Sequence, residues 1–85
     1  MSKKDDLKNI RDSIDSIDNQ ILSLVSERAK LAIQAGQAKQ DSSKYKPARE
    51  SSILNRLTEM NEGPLEQAQI RNIFNEIISS CRSTE

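Results

Sequence analysis

Residues 7–39 read LKNIRDSIDSIDNQILSLVSERAKLAIQAGQAK. Steps of three and four along this stretch pick out Leu7, Ile10, Ile14, Ile17, Ile21, Leu24, Leu31, Ala35 and Ala38, interrupted once, at Arg28. That is the stripe of an amphipathic helix, and no strand-like alternation competes with it. The spacing predicts a first helix from Lys4 to Gln40, roughly 50 Å long at about 1.5 Å per residue. Pro47 and Gly63-Pro64 divide the rest of the chain. A second helix is expected over Ala48–Asn61, with Ile53, Leu54, Leu57 and Met60 on its apolar face, and a third over Leu65–Arg82, with Ile70, Ile73, Phe74, Ile77 and Ile78. The fold class is therefore all-α, with one long and two short helices. Helices of roughly 20 to 27 Å cover only part of one twice as long. A stripe sustained over several heptads is most simply covered by the same helix of a second chain, in an intertwined two-fold homodimer.

The chain has 85 residues, which makes residues 1–85 one domain, marginal as a monomer because so short a chain buries a small fraction of its surface. Thirteen basic and thirteen acidic residues cancel. A general binder of nucleic acid or of a membrane surface carries a basic excess, so neither is an expected partner. Cys81 is the single cysteine, which excludes an internal disulfide and fits a reducing cytoplasmic setting. No apolar run approaches the roughly 18 residues of a membrane span, and MSKKDDLKN lacks the apolar segment of a signal peptide. A soluble, cytoplasmic protein is expected.

Arg28 sits where the stripe calls for an apolar residue, and a guanidinium there without an anion costs several kcal/mol, on the order of a buried unpaired charge. Lys39 lies eleven residues on, a rotation that returns it to within about 20° of Arg28 at a distance of about 16 Å. Ala32 and Ala35 lie between them and leave room. Two long cations over a shallow floor make a pocket for a small anion. Arg11, seventeen residues before Arg28, points about 100° away and serves such a pocket more easily in the partner of a dimer. Arg49 and Glu50 open the second helix, with Glu50 on the same face as Ile53, Leu54 and Leu57. A first-turn carboxylate suits the helix dipole, and facing inward it can accept a hydroxyl proton. Cys81 and Glu85 continue the inner face of the third helix. Taken singly these residues also fit plainer roles: a polar register-setter in a coiled coil, a helix-terminal lysine, a first-turn acid, a small core thiol. Their conjunction points to an anion site. The chain has no histidine and no Cys/His cluster for a metal, no Gly-rich phosphate loop, and no serine or cysteine with a base beside it. No metal and no cofactor are expected. What remains is binding, orientation and electrostatic stabilisation, which suits a unimolecular rearrangement of an anionic substrate.

Over nearly its whole length the chain resembles the all-helical chorismate mutases of the AroQ class. Residues 7–39 are similar to that family's first helix, YKPARESSIL (residues 45–54) resembles its second-helix motif, and NEGPL with IFNEIISSCRSTE is similar to the chorismate mutase part of bifunctional proteins that continue into a prephenate dehydratase. The resemblance implies an intertwined homodimer with two sites shared between the chains. Each site converts chorismate to prephenate by a cofactor-free Claisen rearrangement in aromatic amino acid biosynthesis. It implies that Arg28 and the partner chain's Arg11 grip the two carboxylates, as guanidinium forks do. Lys39 binds the ether oxygen and a carboxylate, Glu50 accepts the ring hydroxyl, and Arg49 supports the carboxylate side. Arg28, Lys39 and Glu85 are the expected catalytic residues, and Cys81 lines the substrate site. Three positions depart from the family pattern. Lys46 stands where some members have an acid, Cys81 where serine is frequent, and Glu85 where the best-known members place glutamine opposite the ether oxygen. Two other readings stand beside this one: an isochorismate-pyruvate lyase of the same fold, and a noncatalytic helical dimerisation or effector-binding module.

Overall fold

The computed structural model describes residues 3–38 and 46–84, of which Thr84 is described in its backbone only. Three α-helices follow one another: α1 (Lys3–Ala38), α2 (Pro47–Met60) and α3 (Gln67–Thr84). No strand occurs among the described residues. None of these helices is long and apolar enough to cross a membrane.

The starts of α1 and α2 and the link from α2 to α3 have local causes. Asp5 and Asp6 occupy the first turn of α1, where carboxylates oppose the positive end of the helix dipole. Pro47 begins α2 at a position whose N–H has no intrahelical acceptor, so the missing donor costs nothing. The turn closes when Glu50 N–H donates to Lys46 O at 3.0 Å. The link from α2 to α3 is clasped by Asn61. Its side-chain amide donates to Leu65 O and to Gln67 Oε1, both at 2.8 Å, and its carbonyl accepts from Gly63 N–H at 3.0 Å. Gly63 has φ +85°, a left-handed conformation that glycine adopts without a Cβ penalty.

The helix α3 packs against both α1 and α2, while α1 and α2 do not pack directly on each other among the described residues. Gln67 Nε2 donates to Thr58 O at 2.6 Å and Arg71 Nη2 to Asn55 Oδ1 at 2.8 Å, tying α3 to α2. Among the described residues the buried apolar ones are few: Ile53 of α2, and Ile78 and Cys81 of α3. Thr58 is buried with them, its hydroxyl donating to Leu54 O and Asn55 O within its own helix.

The long helix is not absorbed into this core. No residue of α1 is buried. Leu7, Ile10, Ile14, Ile17, Ile21 and Leu24 are 46 to 62% exposed, although they form the stripe that defines the helix. The chain measures 59 × 24 × 16 Å, with a radius of gyration of 16.8 Å; a compact domain of this length has about 12 Å. Two apolar positions of the short helices also differ from expectation. Met60 is 65% and Ile73 45% exposed.

Candidate active site

Between the C-terminal half of α1, the start of α2 and the end of α3 lies a half-open cavity of about 520 Å³. From α1 come Arg28, Leu31, Ala32 and Ala35; from α2, Arg49, Glu50 and Ile53; from α3, Ile78, Cys81 and Arg82. The helical periods explain the composition. Arg28, Ala32 and Ala35 follow one another at intervals of four and three, so they share one face of α1. Glu50 and Ile53 are three apart on α2, and Ile78, Cys81 and Arg82 lie within one turn of α3. The alanines leave the volume that larger side chains would fill.

Charge is concentrated here. Three guanidiniums stand against one carboxylate, which leaves two positive charges among the described cavity residues. Arg82 Nη1 donates to Glu50 Oε2 at 2.7 Å, with both side chains partly shielded from solvent. Among the described residues no carboxylate pairs with Arg28 or Arg49. A cavity with two such guanidinium forks beside apolar Leu31, Ile53 and Ile78 suits a small anion with an apolar body. The half-buried Arg28 and Glu50 and the buried Cys81 all face it.

The structure thus brings Arg28, Arg49, Glu50 and Cys81 to one cavity, together with the Ala32 and Ala35 floor. Arg11 stands apart. It borders a separate shallow depression with Lys4, Leu7 and Lys8, and seventeen residues of helix put it about 25 Å from Arg28 along α1. Lys39 and Glu85 lie outside the described residues. Arg82 was not among the expected site residues. Its signal was present, since it follows Ile78 by four and so shares the inward face of α3.

Comparison with known proteins gives this geometry a family. Residues 10–85 match the family described as chorismate mutase type II. The bifunctional chorismate mutase/prephenate dehydratase of Stutzerimonas stutzeri is 39% identical over 92 residues, covering 100% of this chain and 25% of that protein. The Neisseria gonorrhoeae protein of the same description is 39% identical over 75 residues, covering 88% of this chain and 21% of its own length. The chain thus spans at most about a quarter of these relatives. Among solved structures, chorismate mutase from Helicobacter pylori in complex with prephenate superposes with a TM-score of 0.85 at 31% identity, over 92% of this chain and 87% of that one. Chorismate mutase from Thermus thermophilus gives 0.84 at 32% identity, over 88% and 96%. A match from residue 10 to residue 85, shared with relatives and folds that align along almost the whole chain, means that this protein belongs to the chorismate mutase type II family.

Proposed function

We propose that residues 1–85 form a chorismate mutase domain that converts chorismate to prephenate in the cavity between α1, α2 and α3. The cavity itself carries this reading: Arg28 and Arg49 without carboxylate partners among the described residues, Glu50 beside them, and a floor of Ala32 and Ala35. Chorismate is a dicarboxylate, and bidentate guanidinium contacts fix its two carboxylates in space. Glu50 accepts the ring hydroxyl. Lys39, and Glu85 when its carboxyl is protonated, donate to the ether oxygen, where negative charge grows as the carbon–oxygen bond breaks. No bond to the protein forms. The reaction is unimolecular, so holding the substrate in the folded conformation and meeting the developing charge with fixed cations supplies the acceleration.

The working form is an intertwined homodimer in which Arg11 of the partner subunit completes each site. The exposed Leu7-to-Leu24 stripe supports this, because a solitary chain would leave that surface in water. The enzyme acts in the cytoplasm, a setting in which a lone cysteine stays reduced.

The test is direct. Purified protein incubated with chorismate alone is expected to consume it and to release prephenate with no cofactor added. Chorismate bound without turnover would favour a noncatalytic module, and pyruvate released from isochorismate in place of prephenate formation would favour the lyase.

A further inference from the structure

Glu50 enters the cavity already engaged. Its Oε2 accepts from Arg82 Nη1 at 2.7 Å across a separation of 32 residues, joining the first turn of α2 to the last turn of α3. The side chains are 22% and 32% exposed, so solvent screens the pair incompletely. Around the same cavity stand Arg28 and Arg49, two guanidiniums with no carboxylate partner among the described residues. A glutamate here without an anchor would swing onto one of them, since a shielded carboxylate seeks charged donors. That swing would cancel a cation the dicarboxylate needs and withdraw the acceptor for its hydroxyl.

We propose that Arg82 is a positioning residue: by holding Oε2 of Glu50 it keeps this carboxylate off Arg28 and Arg49 and leaves Oε1 to accept the hydroxyl of the substrate. The inference rests on the chorismate mutase reading above. Arg82 need not touch the substrate. It acts through Glu50, and therefore its effect exists only while Glu50 is present.

A double-mutant cycle separates this from the other roles Arg82 could have. Steady-state kcat and KM for chorismate are measured for wild type, Arg82→Met, Glu50→Ala and the double variant, with thermal melts alongside. Arg82→Met is expected to lower kcat/KM about tenfold when Glu50 is present and to change it by less than about twofold when position 50 is alanine. Arg82→Lys, which keeps a cation, is expected to recover most of the loss. Equal losses in both backgrounds would overturn the proposal, because a contact with substrate or a purely structural role does not depend on Glu50. If Arg82→Met does not fold, Arg82→Lys is read in the same two backgrounds. A roughly threefold loss confined to the Glu50 background supports the proposal, and equal effects overturn it. An inactive wild type would instead defeat the chorismate mutase reading on which the inference stands.

Discussion

A guanidinium on the cavity side of α1, beside Leu31, Ala32 and Ala35, meets no carboxylate among the described residues. In the proposed site Arg28 therefore serves the binding of an anion more than the stability of the ligand-free chain. Arg28→Leu is expected to lower kcat/KM by about a hundred- to a thousandfold, the scale of removing a preorganised donor, while the melting temperature holds or rises. Kinetics and thermal melts on the same preparation check this, and a melting temperature that falls with activity would assign Arg28 to the fold. Much of the cavity was legible at this scale, because positions on one helix are related by a fixed rotation: Arg28 with Ala32 and Ala35, and Glu50 with Ile53. The pairing of Arg82 with Glu50 was not. It depends on how α3 lies against α2, and no local spacing relates residues so far apart in sequence.

At the scale of elements, periodicity and breakers located the described helix bounds to within two residues: Lys3 against an expected Lys4 for the start of α1, Pro47–Met60 against Ala48–Asn61, and Gln67–Thr84 against Leu65–Arg82, while the expected end of α1 at Gln40 lies outside the described residues. The third begins later than expected because the chain after Gly63-Pro64 first runs through the segment clasped by Asn61. Apolar spacing is blind to which part of a stripe finds a partner, and hence Met60 and Ile73 were assigned to faces that lie open in the chain. Gly63 offers a clean test of the link. A Cβ built there meets nothing within 4 Å, so the whole cost of Gly63→Ala comes from φ +85°. Chemical denaturation is expected to show a loss of about 1 kcal/mol. The exposed stripe of α1 gives a second test. Ile17 is 55% exposed in the single chain, where lysine would be nearly neutral. If a partner helix covers it, Ile17→Lys is expected to abolish dimers in sedimentation and to lower the melting temperature sharply.

For the whole molecule, a radius of gyration well above that of a compact chain and a core limited, among the described residues, to Ile53, Ile78 and Cys81 support the proposed homodimer. In that proposed dimer folding and association form one equilibrium, so the melting temperature is expected to rise with protein concentration, which calorimetry over a hundredfold dilution range measures. The central claim is that each site joins Arg28 of one chain to Arg11 of the other. Within one chain the two are about 25 Å apart along α1, too far for a single small substrate. Arg11→Ala and Arg28→Ala homodimers are each expected to be nearly inactive, since every site lacks one guanidinium. Unfolding the two together and refolding them yields heterodimers with one site carrying both lesions and the other carrying neither. Random pairing makes about half the dimers mixed, each with one intact site of two, so about a quarter of wild-type activity is expected to return. Activity that stays at the level of the separate variants, with heterodimers demonstrated in the mixture, would contradict a site built from two chains.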